Sequence, residues 1–323
     1  PVFFSSINGM PLRFDVLNNL EIGAGSTVNA GNNSLFIGGD LTLAGTFTNN
    51  GTITLNGNSN STLANNTLSS FTIANLDVVK SSVDAIVTLS GTGSNSFSFG
   101  QVNLNRGNLD LSNKSVTVTG AVNLHNGSLL ATDTGSATLS DGVILNSSRG
   151  KENSFGYLKL ASAATVTLNS HAKASKVDFV GNGIFNIGTF NLEIEESDYD
   201  GVSGWGPSKM FRTNGKSSDG GLMLHFTIQD AGDIALFPVG TTAYRPAKVK
   251  VLGANSPSAS GAFTIVPVDG AHPATDVGKN NEVLGYYWRS KVSGFGDLKT
   301  GIVQLEFTCT GTEPLKNLKG AYL

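Results

Sequence analysis

Apolar and polar residues alternate in short segments along the first part of the chain, and each segment ends at Gly, Asn or Ser. Residues 107–120, GNLDLSNKSVTVTG, show the pattern: Leu109 and Leu111 alternate with polar residues, Ser-Asn-Lys breaks the alternation, and Val116 and Val118 resume it. Alternation with a period of two is typical of a strand with one buried face. This part of the chain is therefore predicted to consist of many short strands.

The same arrangement occurs three times, so we interpret this part of the chain as a repeat. The first copy lies at residues 26–39 and the third at residues 183–194. In the first copy Leu35 takes the place of Val116, 81 residues further along the chain. We therefore expect the three copies to be built alike.

Within each copy the apolar positions step by six or seven residues, as from Leu111 to Val118 and on to Leu124. A meander of hairpins would need about eight to twelve residues for each strand and turn. The shorter step suits a chain that turns a corner after three or four residues and continues in the same rotational sense. Three such sides make a coil of about twenty residues, and stacked coils pair in parallel about 4.8 Å apart. The pattern predicts a right-handed parallel β-helix over residues 1–195.

The corners of these coils are rich in Asn and Gly, as in residues 48–52 and 124–128. Asn at successive corners can form side-chain ladders, and both residues tolerate a left-handed backbone. Two longer segments, which begin at Phe71 and Phe155, interrupt the short step. We expect both aromatic rings to fill the core there.

The six-residue step of apolar positions is lost at residues 196–212, where Trp205 and Pro207 appear. We interpret this range as a linker. From residue 213 to residue 323 the strand-like runs are longer, and their spacing suits an antiparallel β-sandwich of Ig-like size. The fold class is thus predicted to be all-β, a solenoid followed by a sandwich. The sandwich stops one or two strands short of closure, which predicts a longer parent protein.

Charge and composition exclude several classes of protein. The 323 residues carry a formal net charge of −3, and charged residues make up only 14%, so no basic field for nucleic acid is present. No apolar run reaches 18 residues, and we expect no membrane span. The start at Pro1 without a signal peptide indicates a processed or excised piece. Cys309 is expected to be a small buried hydrophobe on a strand.

Several phrases of the sequence resemble a known group of proteins. GTFTNNGTITLNGN, FTIANLDVVKSS and GNLDLSNKSVTV are followed by SKMFRTNGKSSDGGLMLHFTI, LFPVGTTAYRPAKVKV and GYYWRS. Together they are similar to the repetitive surface proteins that Bacteroidota export by type IX secretion, adhesins of gliding motility among them. The resemblance covers nearly the whole chain, and the combination of FPVG…YRP with GYYWRS is its more specific part. It implies an extracellular, cell-surface location, a stalk or adhesive role and contact with the secretion machinery during export.

These features predict a non-enzymatic segment whose partners are surface glycans or other cell-surface proteins. The alternative is a carbohydrate-active β-helix enzyme, a polysaccharide lyase or hydrolase, or a carbohydrate-binding module. Cleavage would need carboxylates gathered on one side of the coil. The acids of this part are scattered, although Asp110 and Asp133 would approach one side if coils contain about twenty residues.

Two weak candidate sites lie beyond the repeats. Asp198 and Asp200 could supply oxygen ligands to Ca²⁺, although the spacing is short of a full calcium loop and a solvated acidic linker is the alternative. No other cofactor is expected. Trp205 and Tyr287 could stack on a sugar ring if exposed, with core packing as the alternative. Alternation in GYYWRS predicts Tyr286 and Trp288 on one face of a strand and Tyr287 on the other.

Overall fold

The computed structural model of the chain describes residues 2–3, 10–67, 69–92, 96–131, 134–196, 201–227, 234–253, 260–274, 284–295 and 302–307. The chain divides into two compact units, Pro1–Gly183 and Ile184–Leu323. Apart from one 3₁₀ turn at Gly150–Glu152, the regular structure of the described residues consists of strands, which confirms the all-β prediction. Among these residues no helix has the length and apolar character that membrane crossing requires. Cys309 lies outside the described residues.

The strands of the first unit are short, as the alternation predicts. In chain order they are β1 Val2–Phe3, β2 Arg13–Val16, β3 Leu20–Ile22, β4 Thr27–Gly31, β5 Ser34–Ile37, β6 Leu41–Leu43, β7 Thr46–Asn49, β8 Thr52–Leu55, β9 Ser61–Asn65, β10 Phe71–Val79, β11 Ile86–Ser90, β12 Phe97–Arg106, β13 Asn108–Asp110, β14 Ser115–Leu124, β15 Leu129–Leu130, β16 Ser136–Leu139, β17 Ile144–Ser147, β18 Tyr157–Leu160, β19 Ala164–Leu168, β20 Ala172–Ala174 and β21 Lys176–Phe179.

Except for β20, these strands stack in parallel as three ladders, one for each side of the coil. The first side contains β1–β4–β7 and β14–β16–β18–β21, the second contains β2–β5–β8–β10–β12–β14–β17–β19, and the third contains β3–β6–β9–β11–β13–β15. Strand β14 crosses two sides, because Ser115–Val118 pair with β16 and Ala121–Leu124 pair with β17. The chain forms a solenoid of about nine turns, and the predicted parallel β-helix is confirmed.

The core is made of apolar columns that run through successive coils. On the second side the paired residues are Leu35, Ile53, Leu76, Val102 and Val122, none more than 1% exposed. Each side chain is thus covered above and below by its counterparts, and each coil depends on its neighbours for burial.

The aromatic rings at the longer segments also pack as predicted. Phe71 is 5% exposed and Phe155 is fully buried. The Phe71 ring contacts that of Phe47 in one neighbouring coil and, edge to face, that of Phe97 in the other, at centroid distances of 5.9 and 6.3 Å. The rings fill the interior where the coil lengthens.

The structure corrects the expected equivalence of the repeat copies. The column that contains Leu35 reaches Val122, whereas Val116 pairs with Phe97 in a different column. The first and second copies therefore lie on different sides of the coil. All three sides need an inward-facing apolar residue at every second position, so likeness between segments does not determine which side a segment occupies.

The second unit combines parallel and antiparallel pairing. Its strands are β22 Gly183–Gly188, β23 Asn191–Ile194, β24 Val202–Ser203, β25 Lys209–Thr213, β26 Gly221–Thr227, β27 Ile234–Phe237, β28 Val239–Gly240, β29 Ala247–Gly253, β30 Ser260–Asp269, β31 Tyr286–Ser293 and β32 Ile302–Phe307. Strand β23 pairs in parallel with β26, and β25 pairs in parallel with β28. One antiparallel ladder runs in the order β26–β30–β31, and another in the order β27–β29–β32.

The change from parallel to antiparallel pairing occurs at a single strand, β26. Leu222 pairs with Leu192 in the parallel direction and with Ile265 in the antiparallel direction, and all three side chains are buried. Parallel pairing therefore continues through β25, which lies mostly within the predicted linker range 196–212, and through β26 beyond it.

Candidate functional site

Three carboxylates of the first unit, those of Asp40, Asp77 and Asp141, accept hydrogen bonds from a neighbouring coil. Asp40 Oδ1 accepts from the backbone N–H of Thr62, and Asp141 Oδ1 accepts from that of Thr165, both at 2.8 Å. The acceptor and donor in each pair are 22 and 24 positions apart, about one coil. These acids lie at corners and satisfy backbone donors near the start of strands β9 and β19.

The described acids do not converge on one place. Asp110 Oδ1 accepts from the N–H of Ser112 at 2.9 Å, and Asp133 lies outside the described residues. Within the described ranges, no group of three or more His, Cys, Asp and Glu side chains could hold a metal ion. Asp198 and Asp200 also lie outside those ranges.

A ladder of side-chain amides crosses four coils on the outer face of the second side. Asn146 donates to Asn123 at 2.7 Å, Asn123 donates to Asn103 at 2.7 Å, and Asn103 donates to Asp77 at 2.6 Å. Gln101 donates to the same oxygen of Asn103 at 2.8 Å. Every amide thus points in one direction, and the ladder ends on a carboxylate, whose charge strengthens the last bond.

The position of this ladder differs from the sequence prediction, which placed amide ladders at corners. The described ladder lies within strands β10, β12, β14 and β17. Corner amides bond to backbone instead: Asn19 Oδ1 accepts from the N–H of Asp40, and Asn60 Oδ1 accepts from that of Ile86. Backbone donors at corners and at the first residues of strands need such acceptors, whereas donors in the middle of a strand are paired in the ladder.

Replacement of Asn123 by Ala is expected to lower the free energy of unfolding by about 1–3 kcal/mol. The change removes two bonds worth about 0.5–1.5 kcal/mol each and leaves Asn103 and Asn146 partly unpaired. Urea denaturation followed by circular dichroism measures the loss. Asn169→Ala, at an exposed position, serves as the control and should change stability by less than about 0.5 kcal/mol. Equal losses in both variants would contradict the role of the ladder.

Lys80 is an unusual residue of the solenoid, because its side chain is only 1% exposed. Its Nζ donates to Ser61 Oγ at 2.7 Å, and its stem fills the space beside Gly107. Burial lowers the pKa of Lys80 below its ordinary value of 10.5, and the charge of Asp40 opposes that shift only in part. A buried ammonium group is costly. Lys80 therefore stabilises the fold through its stem rather than its charge.

The lowered pKa of Lys80 predicts a specific dependence of stability on pH. Between the folded-state pKa and 10.5 the unfolded chain binds more protons, so the free energy of unfolding should rise with pH in that interval. Lys80→Met keeps the stem and removes the titrating group. Denaturation at a series of pH values should show the extra rise in the wild type and not in the variant, and parallel curves would contradict this account.

The FPVG…YRP and GYYWRS segments of the sequence meet in one cluster of the second unit. The Arg245 guanidinium lies 4.0 Å from the centroid of the Tyr286 ring and is hydrogen-bonded to Asp269. Trp288 contacts Tyr286 edge to face at 5.3 Å and donates from Nε1 to the carbonyl of Arg245 at 2.9 Å. Thr241 also donates to Asp269, at 3.0 Å. The interactions link the FPVG…YRP segment to the GYYWRS segment and have a packing role.

Trp205 and Tyr287, the residues proposed as sugar contacts, have different surroundings in the structure. Tyr286 and Trp288 lie together, as the alternation predicts, and Tyr287 contacts His272 instead, with ring centroids 4.9 Å apart. Trp205 is 45% exposed. In the part of the chain that the structure describes, no ring contact joins Trp205 to Tyr287. The structure does not bring the two candidates into one platform.

A cleft of about 250 Å³ lies at the N-terminal coils, where Asp15, Phe36, Asn56 and Asn58 contribute to its lining. Arg13 Nη2 contacts Asp15 Oδ1 at 2.7 Å, and the Arg13 guanidinium lies 3.7 Å from the centroid of the Phe36 ring. Arg13 lowers the pKa of the Asp15 carboxyl through a hydrogen bond. Because one arginine occupies both the carboxylate and the ring, amides are the main groups that this cleft offers to a ligand.

Sequence reasoning missed a cationic group around Tyr157. Lys159 Nζ lies 5.0 Å and Lys176 Nζ lies 5.6 Å from the centroid of its ring. The alternation of YLKL and KVDF indicates that these residues face outward, but the two segments are 19 residues apart, and only the coil register brings them together.

Comparisons with models of protein families, with curated proteins and with solved structures find no match to this chain.

Proposed function

We propose that this chain is a non-enzymatic segment of an extracellular surface protein, in which it serves as a stalk or adhesive scaffold. The observation that carries the proposal is the parallel solenoid of about nine turns, with buried apolar columns inside and hydrogen-bonded polar side chains outside. In such an arrangement every inner coil is held by two neighbours, so the segment resists local opening. Spacers and attachment surfaces need this property.

The finer parts of the proposal follow from the sequence. The coil is right-handed, the antiparallel ladders of the second unit belong to an Ig-like sandwich, and the protein reaches the cell surface of a member of the Bacteroidota by type IX secretion. Its partners are surface glycans or other cell-surface proteins. Support comes from the resemblance of the repeat and junction segments to such surface proteins. The cluster of Arg245, Tyr286 and Trp288, which packs the FPVG…YRP segment against the GYYWRS segment, adds to it.

Binding of carbohydrate without cleavage is a second candidate function. Hydrolysis needs two carboxyl groups that flank the glycosidic bond, whereas Asp40, Asp77 and Asp141 each accept a hydrogen bond from a neighbouring coil. The exposed Trp205 and the cationic group around Tyr157 favour attachment to a sugar surface.

Two measurements test the proposal. Purified chain is passed over immobilised polysaccharides, and the same mixtures are assayed for newly formed reducing ends and unsaturated sugars. We expect retention without either product, and product formation would overturn the non-enzymatic role. Antibody raised against the chain should label intact cells of the source bacterium without permeabilisation. Labelling that appears only after permeabilisation would overturn the surface location.

A further inference from the structure

The group formed by Tyr157, Lys159 and Lys176, named here the lysine–tyrosine patch, lies on the outer face of the first side. Strands β18 and β21 pair in parallel, with Tyr157 opposite Lys176 and Lys159 opposite Asp178. The alternate residues of both strands, Leu158 and Val177 among them, are fully buried. The side chains of the patch are partly exposed. They therefore form an ordered surface feature on a rigid ladder.

The patch holds two positive charges close together. Both ammonium groups lie within 5.6 Å of the same ring centroid, so they are at most about 11 Å apart. Like charges at this distance repel, and the negative face of the tyrosine ring offsets the repulsion only in part. Asp178, opposite Lys159, supplies one negative charge. An anionic ligand would complete the compensation.

Basic residues are also concentrated in the part of the sequence that contains the patch. The first unit has nine Lys and Arg residues, and five of them lie in a short stretch of the sequence: Arg149, Lys151, Lys159, Lys173 and Lys176. The same stretch contains one acid, Glu152, which pairs with Arg149 at 3.4 Å. The part of the chain that carries the patch is thus richer in positive charge than the rest of the first unit, which favours the approach of anions.

We propose that the lysine–tyrosine patch binds an anionic sugar unit of a polysaccharide. The two ammonium groups bind the carboxylate or sulfate of the sugar, and the ring of Tyr157, over which both of them lie, holds them in place. The parallel ladder positions the three side chains before binding, so little entropy is lost on association. This inference rests on the proposed adhesive function and names the ligand class of one of its surfaces.

The experiment compares the purified chain with two double variants of equal charge change. Lys159→Gln/Lys176→Gln removes the charges of the patch, and Arg106→Gln/Lys216→Gln removes two exposed charges elsewhere. A third variant, Tyr157→Leu, removes the ring. Circular dichroism and thermal melts show that each variant is folded. Binding is measured to polygalacturonate, which carries carboxylates, to dextran sulfate, which carries sulfates, to neutral dextran and to duplex DNA.

We expect the wild type to bind at least one of the two anionic polysaccharides and not neutral dextran, with affinity that falls as salt rises. The patch variant and Tyr157→Leu should each bind at least tenfold more weakly, and the control variant should stay within twofold of the wild type. The stronger of the two anionic polymers identifies the source as a uronate or a sulfated glycan.

Several results would overturn the proposal. Equal losses in the patch and control variants would mean that only net charge matters, and equal affinity for duplex DNA would mean that any polyanion suffices. Unchanged binding by the patch variant would locate the ligand elsewhere. If the wild type bound neither anionic polymer, the patch would have no such role, while retention on a neutral polysaccharide and labelling of intact cells would leave the surface function standing.

Discussion

Replacement of Phe99 by Ala is expected to lower the free energy of unfolding by about 3–5 kcal/mol. The ring is fully buried, lies 6.1 Å from the ring of Phe97, and pairs in register with Ile73 below and Val118 above. Neighbouring coils are held by ladder hydrogen bonds and cannot collapse into the space, so a cavity remains and its cost adds to the lost burial.

The control for this variant is Ser98→Ala, one residue earlier on the same strand and on the outer face. Its expected effect is within about 0.5 kcal/mol. Urea denaturation followed by far-UV circular dichroism measures both variants. A similar loss for the two changes would show that the alternation does not separate an interior from a surface, and the solenoid core as described would be wrong.

Replacement of Gly57 by Ala should destabilise the protein at or above the upper end of the roughly 1–3 kcal/mol that overpacking usually costs. A Cβ at this corner would lie 1.6 Å from the carbonyl oxygen of Gly38 in the preceding coil. At Gly38 the next contact would be the carbonyl oxygen of Leu17 at 2.2 Å. Because backbone meets backbone through three coils, a methyl group at Gly57 must push the corners apart.

The matched control is Gly23→Ala, because a Cβ at Gly23 would find its nearest neighbour, Ser26 Oγ, at 4.0 Å. Neither Gly57 nor Gly23 has a left-handed backbone, so the comparison isolates steric contact from conformational freedom. Thermal unfolding should show a clear decrease for Gly57→Ala and little change for Gly23→Ala. If Gly57→Ala unfolds like the wild type, the corners of successive coils do not touch.

The sequence predicted the solenoid well because its signals are local. The alternation of Val116 and Val118 with polar residues shows which side chains face inward on a strand, and a step of six or seven residues excludes hairpins. Both properties depend only on neighbours along the chain. The prediction for the core aromatic residues, Phe71 and Phe155, succeeded for the same reason.

The candidate sites could be predicted only in part. Alternation placed Tyr286 and Trp288 on one face, but it did not show that Arg245, 41 residues before Tyr286, packs against the ring. Nor did composition reveal that Lys80 lies in the interior, since lysine is rarely buried. Such contacts join residues that are distant in sequence, and their geometry comes from the stacking of coils or the pairing of strands.

What the sequence by itself determined is that the first part of the chain forms short strands with one apolar face, and that a coil of about twenty residues cannot bury that face without a neighbour above and below. What only the tertiary structure decided is the register of the coils. Paired residues lie 18 positions apart at Leu35 and Ile53 but 26 apart at Leu76 and Val102, because loops of different length leave the strands without changing the pairing. That register, invisible to local alternation, brings Asn103 to Asn123 and Tyr157 to Lys176, and so decides which polar groups meet on the surface.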